Sequence, residues 1–430
     1  MITKKDIKDL ALDELSAELV GLGEPAFRAK QIFAWLYRRG KATFGEFSDI
    51  SRGLRDKLEE QYVIGRLEAV ERLRSSDGVQ KFLFRLADGN HIETVLIPSG
   101  PRMTVCLSTQ AGCRYRCAFC ASGLGGFHRN LTPSEITGQV LFVKDVLGKE
   151  PTNLVFMGMG EPLDNFESVA KAVRIMNAVE GMGIAARRIT ISTCGIVPGI
   201  ERLAKLDLQV NLSLSLHAVT DRLRDRLMPV NRKYPLEEIV RACEAYLESG
   251  GRMMTLEYIL IRDVNDTRND AEGLAAVARR LRAKVNVIAF SPVPGLAFAP
   301  PEAGALKEFV RWLEERKVHV TERRSKGADI AAACGQLAGR TKSEAGAAPG
   351  SAGRKSPPTP LFQRGGLDPS TALVQKRERS PAPSGGAGGS GGDGRRPVRS
   401  EGKGDRLDPR GTGRSDRGRK PGASRRKRTG

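Results

Sequence analysis

The sequence predicts an α/β protein: a partial (βα)6 barrel, preceded by a helical region and a small antiparallel β layer, and followed by a disordered basic tail. Three observations carry that expectation. Residues 102 to 335 alternate short apolar runs of strand length with stretches of helical period. Just ahead of them the hydrophobic period drops to two, around the turn pairs Asp77-Gly78 and Asp88-Gly89. Beyond Gly339 the composition collapses to Gly, Pro, Ser and Arg, which cannot bury a core. The expected parts are a helical accessory domain over 1–62, a β-hairpin layer over 63–101, a barrel over 102–338 and a tail over 339–430.

In the first part, Leu12, Leu15 and Leu19 recur at helical spacing up to a Gly21-Leu-Gly23 stop. Phe27, Ile32, Trp35 and Leu36 define a second helix that starts after Pro25 and ends at Gly40. Arg28, Lys30, Arg38, Arg39 and Lys41 lie on that helix or at its end, as a contact surface for RNA phosphates or as a solvated face. The β layer ends in His91-Ile-Glu93-Thr-Val-Leu-Ile-Pro98, whose lone carboxylate reads as solvation of an edge strand.

Barrel strands are expected near 103–108, 153–157, 188–192, 210–216, 254–261 and 285–290, with a further one near 317–322. Helices are expected near 133–147, 165–179, 197–206, 235–249, 268–282 and 302–316. Such repeats make parallel strands with right-handed crossovers, and in barrels of this kind chemistry gathers at the carboxyl ends of the strands. The distinctive residues fall there. Cys113-Arg-Tyr-Arg-Cys117-Ala-Phe-Cys120 follows the first strand and Met159-Gly160-Glu161-Pro162 the second. Ser192-Thr-Cys194-Gly195 ends the third, Ser215-Leu216-His217 the fourth and Ser291-Pro292 the sixth.

The chain's 430 residues suffice for two domains and carry a net charge of +20. Residues 340–430 hold 22 Lys and Arg against 8 Asp and Glu, and the rest is mildly basic. Both parts favour a polyanionic partner; the tail adds either sequence-blind phosphate attraction or plain solvation. Seven cysteines, three of them within eight residues, argue against a secreted disulfide framework and for a reducing cytosol. The start lacks the apolar core of a signal peptide, and no apolar run approaches the roughly 18 to 20 residues of a membrane span. A cytoplasmic protein is expected.

Three thiols spaced Cys-x3-Cys-x2-Cys converge on one inorganic centre only if the loop wraps it. A structural zinc site wants a fourth protein ligand, and no further Cys or His lies at close spacing. A 4Fe-4S cluster held by three thiolates keeps one iron open to a small molecule. With the run Ala121-Ser-Gly-Leu-Gly-Gly126 behind it, the spacing resembles the signature of the radical S-adenosylmethionine superfamily. In that superfamily the open iron chelates the methionine end of the cofactor and delivers the electron that splits it.

The surrounding motifs narrow the resemblance. Ile92-Glu93-Thr-Val, Cys106-Leu-Ser-Thr-Gln-Ala-Gly-Cys113, Gly126-Phe-His-Arg-Asn130-Leu-Thr, Met157-Gly-Met-Gly-Glu161-Pro, Ser215-Leu-His217-Ala and Gly327-Ala-Asp-Ile-Ala-Ala-Ala-Cys334-Gly-Gln-Leu together resemble the RlmN family of bacterial dual-specificity RNA methyltransferases, which make 2-methyladenosine. The resemblance covers residues 1 to about 338. It implies adenosine 2503 of 23S rRNA and adenosine 37 of certain tRNAs as substrates. It implies Cys113, Cys117 and Cys120 as ligands of one 4Fe-4S cluster. Gly160, Glu161, Ser192, Ser215, Leu216, His217 and Ser291 are implied as S-adenosylmethionine contacts.

The same resemblance implies two cofactor molecules per turnover. One methylates Cys334 by displacement; the other, split at the cluster, yields a radical that takes a hydrogen from that S-methyl group. The carbon radical so formed adds to carbon-2 of adenine, which is too electron-poor to attack a methyl donor itself. Glu93 is then the proton acceptor, and Cys106 the second thiol, which releases the product and leaves a transient disulfide with Cys334. A flavodoxin-type electron donor is implied because the cluster must be reduced each turn, and a monomer is expected.

One position departs from the family. Ser291 stands where Asn usually precedes the Pro, and it offers one hydroxyl in place of an amide. Cys194 and Cys243 match no family role and read as packing residues, as Cys106 and Cys334 would if each stood alone. Two other readings compete. A sister enzyme resembling Cfr, which methylates carbon-8 of the same rRNA adenosine, shares the cluster, both cysteines and the cofactor motifs. The long helical N-terminal region and the Ala333-Cys334-Gly-Gln-Leu context favour carbon-2. A non-catalytic iron-sulfur or zinc RNA-binding protein would explain the charge and the Cys triplet, but leaves Cys106, Cys334 and the Gly-Glu-Pro turn without a task.

Overall fold

The computed structural model describes residues 4–339, so the tail expected over 339–430 lies outside the described residues from 340 onward. At the N-terminus, β1 (Lys5–Asp6) pairs in parallel with β2 (Tyr62–Val63) around α1 (Leu12–Gly21), α2 (Arg28–Phe33) and α3 (Arg52–Gln61). Leu15 and Leu19, Ile32 and Leu36, and Leu54 and Leu58 recur four residues apart and bury one face of each helix. The Glu14 carboxylate accepts from the Ala11 N–H at 2.8 Å and the Ser51 hydroxyl from the Leu54 N–H at 3.3 Å, capping α1 and α3. The second helix runs on as a π turn over Ala34–Arg38, where Trp35 stacks on Phe47 at 5.6 Å. Several of its basic side chains are engaged: Lys30 with Glu180 at 3.1 Å, Lys41 with Glu46 at 3.1 Å, and Arg39 over the Trp35 ring at 3.8 Å.

The strands β3 (Glu68–Arg74), β4 (Gln80–Arg85) and β5 (His91–Ser99) are antiparallel, as the period of two predicts. They are not a separate layer. β5 pairs antiparallel with β6 (Arg102–Cys106), the first barrel strand, so the hairpins extend the barrel sheet. Glu93 therefore sits on an internal strand and is only 1% exposed, which corrects the edge-strand reading. Alternation shows which residues share a face but not what lies alongside the strand. The register sets Lys81 and Cys106 each opposite Val95, and Leu83 opposite Glu93, so Lys81, Glu93, Val95 and Cys106 share one face.

A short hairpin unannounced by the sequence follows, β7 (Gln110–Gly112) with β8 (Phe127–Asn130). The repeats then run α4 (Pro133–Leu147), β9 (Asn153–Phe156), α5 (Phe166–Asn177), β10 (Ile189–Thr193), α6 (Val197–Ala204), β11 (Asn211–Ser215), α7 (Asp221–Leu227), α8 (Leu236–Glu248), β12 (Thr255–Leu260), α9 (Arg268–Arg280), β13 (Lys284–Ala289), α10 (Ala305–Glu315) and β14 (Val320–Arg323). At α4 the sequence states both ends: Pro133 in the first turn, a Thr132/Glu135 capping box, and Gly148 in the left-handed region. Strands β6 and β9 to β14 pair in parallel one after another, and β14 and β3 are the sheet's free edges, so the barrel stays open. Val105, Leu154, Ile191, Leu214, Leu256 and Val287 share the sheet face opposite the one that carries Cys106, Ser192, Ser215 and Glu257, and their burial contributes about 1.5–3 kcal/mol each.

After β14 the chain returns as a strap, residues 327–339, across the face that carries Cys106. Ala332 and Leu337 of the strap pack with Val79, Val95, Cys106 and Met159 in a small apolar cluster apart from the main core. Among the described residues no helix is long and apolar enough to cross a membrane.

Candidate active site

The cysteine loop is held at several points along its length. The Cys113 N–H donates to Gly126 O at 2.9 Å, closing the β7–β8 hairpin around the loop. Asp164 accepts from the Tyr115 hydroxyl at 3.0 Å and from Gln110 Nε2 at 2.8 Å, and pairs with Arg114 at 3.0 Å. The Ala118 N–H donates to Leu227 O at 2.8 Å, so α7, too polar and short to show in the sequence, serves as a floor for the loop. Cys113, Cys117 and Cys120 line one cavity of about 850 Å³, counting its open mouth, at the carboxyl ends of the barrel strands.

Strand ends supply the opposite wall. Gly160, Glu161, Ser192, Ser215 and His217 all line the same cavity. Gly160 has φ +95°, and a Cβ there would lie 2.5 Å from the Gln110 side chain, so only glycine fits the turn. Burial pushes the Glu161 carboxyl up, while N–H donors from Cys194 at 2.8 Å and Leu163 at 3.0 Å, one to each oxygen, fix its orientation. His217 Nδ1 accepts from the Ile259 N–H at 3.1 Å, which places its proton on Nε2. Burial, reinforced by Arg224, lowers that imidazole to about 3, so it is neutral at physiological pH. The wholly buried Arg224 ties the ends of two strands together, donating to Cys194 O at 2.7 Å and to Leu216 O at 3.1 Å. Ser192 and Ser215 face each other at 3.5 Å.

Two of the expected cofactor contacts are placed differently. Leu216 is fully buried and outside the cavity wall, with its N–H donating to Glu257 O at 3.1 Å. Ser291 also lies outside that wall and donates to Ser325 Oγ at 3.1 Å.

The strap brings the distant cysteine in. Cys334 lines the cavity of the cysteine loop, 214 positions from Cys120 in sequence. The Ala121 N–H donates to Gly335 O at 2.7 Å and the Ser122 hydroxyl to Leu337 O at 2.7 Å, so loop and strap are laced together. Cys106 lies under the strap, where burial, reinforced by Cys334, pushes its thiol up to about 12. The Arg323 guanidinium is held above its ordinary value chiefly by Cys334, with Glu257 and Cys106 adding. Both cysteines are free thiols. Glu93 is not part of the cavity wall; its carboxylate is taken up by Lys81 and by strap N–H groups.

Sequence reasoning passed over three cavity residues. Glu257 lies within the apolar run Thr255–Leu260, where a carboxylate was the available signal. Arg323 ends a short polar strand and gave none. Cys194, read as packing, shares the cavity wall with the three loop thiols, and its N–H donates to Glu161 Oε2 at 2.8 Å.

The residues present fit a cluster and a nucleoside cofactor. Burial pushes the Cys113 thiol up to about 12 and the Cys117 and Cys120 thiols upward as well, so they become thiolates through a bound metal rather than through their surroundings. Among the described residues no trio of Cys, His, Asp or Glu converges tightly enough for a single ion. A cubane spreads its ligands, one thiolate to each of three irons. Glu257 Oε2 is buried without a hydrogen-bond partner on the cavity wall, an acceptor left for a ligand.

Comparison with known proteins agrees with this geometry. A model of the radical SAM superfamily matches residues 107–274, and one of the ribosomal RNA large subunit methyltransferase N-terminal domain matches residues 5–64. The chain is 47% identical over 346 residues to a probable dual-specificity RNA methyltransferase RlmN of Moorella thermoacetica, spanning 78% of this chain and 98% of that protein. It is 46% identical over 341 residues to the dual-specificity RNA methyltransferase RlmN of Geobacter sulfurreducens, spanning 79% and 94%. The crystal structure of a radical SAM methyltransferase from Sphaerobacter thermophilus matches with a TM-score of 0.74 at 43% identity, over 78% of this chain and all of that one. With the cysteine loop, the strand-end wall and the strap in place, these similarities show that the chain belongs to the RlmN family of dual-specificity RNA methyltransferases, within the radical SAM superfamily.

Proposed function

We propose that this protein methylates carbon-2 of adenosine in RNA, at adenosine 2503 of 23S rRNA and adenosine 37 of tRNA, through a methyl group carried on Cys334. The observation that carries this reading is the entry of Cys334 into the cavity of the cysteine loop, with Cys106 under the same strap. An RNA base that cannot attack a methyl donor needs a carrier, and a thiol beside the cluster loop is one.

Cys113, Cys117 and Cys120 would hold a 4Fe-4S cluster. Gly160, Glu161, Ser192, Ser215 and His217 would hold S-adenosylmethionine, with Leu216 and Ser291 lying outside that wall, and two molecules of the cofactor serve each turnover. Together these groups, when bound, supply a methyl donor and one-electron cleavage chemistry. The Cys334 sulfur takes the methyl by displacement and presents it to the base. Glu93 accepts the proton lost from the ring carbon. The Cys106 sulfur, giving up its proton, then attacks the Cys334 sulfur: an S–S bond forms as the bond from Cys334 to the transferred carbon breaks, that carbon keeps the bonding pair and takes a proton to become the product methyl, and a disulfide is left for a thiol reductant to reopen. A flavodoxin-type protein is the electron donor, and the enzyme acts as a cytoplasmic monomer.

Carbon-8 methylation of the Cfr kind would use the same cluster and cysteines. The N-terminal domain match and the relatives' names support carbon-2. The test is mass spectrometry of nucleosides from 23S rRNA and tRNA in cells lacking their own enzyme, with and without this protein. 2-Methyladenosine is the expected product. 8-Methyladenosine would overturn the regiochemistry, and neither product despite an intact cluster would remove RNA adenosine as the substrate.

A further inference from the structure

Lys81 lies outside the cavity wall and matches none of the expected roles, yet it touches two of the parts that have one. Its ammonium stands 2.9 Å from Glu93 Oε1 and donates to Ala331 O at 3.1 Å, at the near end of the strap. At the far end the other carboxylate oxygen, Oε2, accepts from the N–H groups of Ala338 at 2.8 Å and Gly339 at 3.2 Å. Cys334 lies between these two ties. Lys81 and Glu93 share the sheet face with Cys106, so one ion pair is fastened to both ends of the segment that carries the methyl-bearing cysteine.

The setting makes a purely stabilising purpose a poor explanation. The two side chains are 10% and 2% exposed, beside the apolar cluster of Val79, Val95, Cys106 and Leu337. A buried ion pair in such surroundings can be exchanged for packed apolar side chains at little cost or with a gain in stability. What an apolar pair cannot do is hold a carboxylate in one orientation while gripping the backbone of the strap.

We propose that Lys81 is a positioning residue for the methyl transfer: it aims the Glu93 carboxylate and anchors the Cys334 strap, so that proton acceptor and carrier sulfur keep a fixed relation. The proposal rests on the roles given above to Glu93 and Cys334. In the structure Oε2 accepts two strap N–H groups and Oε1 only the Lys81 ammonium, so the second lone pair of Oε1 is the position left for the ring proton. The proton passes from the ring carbon to Glu93, the electron pair of that C–H bond stays in the ring, and Lys81 keeps its charge throughout.

The experiment compares Lys81→Met, Glu93→Gln and the unaltered full-length protein, each reconstituted with its cluster, in single-turnover reactions with an RNA substrate. Iron and sulfide content, the methyl on Cys334, and the lifetime of the covalent protein–RNA adduct on denaturing gels are read together. Lys81→Met is expected to bind its cluster and to carry the Cys334 methyl as the unaltered protein does. Its adduct is expected to persist about tenfold longer or more, and that of Glu93→Gln about a hundredfold longer. Lys81→Gln, which keeps a donor for Ala331, gives the same reading where the Met variant fails to fold. A slow Glu93→Gln beside Lys81 variants of normal lifetime overturns this proposal alone. Normal lifetimes in both, or no methyl on Cys334 in the unaltered protein, overturn the roles beneath it as well. Cluster, methylation and adduct resolution falling together in every Lys81 variant would make Lys81 a structural residue and sink the proposal.

Discussion

Arg323 Nη1 stands 3.7 Å from Glu257 Oε2, and both side chains line the cavity that Cys334 enters. The pair is asymmetric. Glu257 is 5% exposed, with Oε1 held by Ser213 Oγ at 2.9 Å and Asn286 Nδ2 at 3.0 Å, whereas its other oxygen has no hydrogen-bond donor. The arginine side chain is the partly solvated partner, 31% exposed. The carboxylate depends on the arginine more than the reverse.

Arg323→Met should therefore lower stability by about 1–3 kcal/mol, because it leaves a buried carboxylate unpaired; partial exposure of the arginine keeps the loss below that of a fully buried pair. Adding Glu257→Gln should recover most of it, since the uncompensated charge is gone. Thermal denaturation of the two single variants and the double variant checks this. Additive losses would show that the two residues are not coupled.

Resolution of the protein–RNA adduct should speed up with pH. Burial favours the neutral thiol at Cys106, with a value of about 12, so only a trace of thiolate exists at neutrality. Below that value the thiolate fraction, and with it the rate, grows about tenfold per pH unit. Rapid-quench gels from pH 7 to 9 measure the slope; a flat profile would rule out Cys106 as the rate-limiting nucleophile. In Cys106→Ala the adduct should accumulate and persist while Cys334 remains methylated.

Alanine at Cys113, Cys117 or Cys120 should abolish cluster binding, read as iron and acid-labile sulfide, and with it all 5'-deoxyadenosine formation. Cys194→Ala is the control from the same cavity wall. It should retain the cluster and bind S-adenosylmethionine about as tightly as the unaltered protein, because the backbone N–H at that position still donates to Glu161. Loss of the cluster in Cys194→Ala would mean that four cavity thiols, rather than three, hold the metal.

Gly160→Ala should cost about 2 kcal/mol or more, from left-handed backbone strain and from the clash with Gln110. Cofactor binding should fall with it, since the turn sets the Glu161 carboxylate beside the cavity. Equilibrium binding and a melting curve test this, and a variant with normal affinity would detach the turn from the cofactor.

Much of this protein could be read from its sequence because the relevant signals are local. Hydrophobic period sets strand against helix, and the helical N-terminus, the hairpins and the seven parallel strands emerged where the pattern placed them. The Cys-x3-Cys-x2-Cys spacing pointed to the cluster loop because three ligands on one loop need no knowledge of the rest of the chain. Residues joined through pairing and packing are a different matter. Glu93 lies on an internal strand rather than an edge, since nothing within its own run states that Cys106 and its strand pair alongside.

Whether Cys334 would meet the cluster loop was decided by a strap returning across the sheet, laced by Ala121, Ser122, Lys81 and Glu93 to residues more than two hundred positions away. The sequence by itself determined the parallel strands, the longer helices, their order and the cysteine loop, but not the β7–β8 hairpin or α7, which are too short to carry a hydrophobic period. Tertiary structure alone decided which acids and bases face one another, because pairing Lys81 with Glu93, or Arg323 with Glu257, depends on strand register and chain return, which leave no periodic trace in either segment.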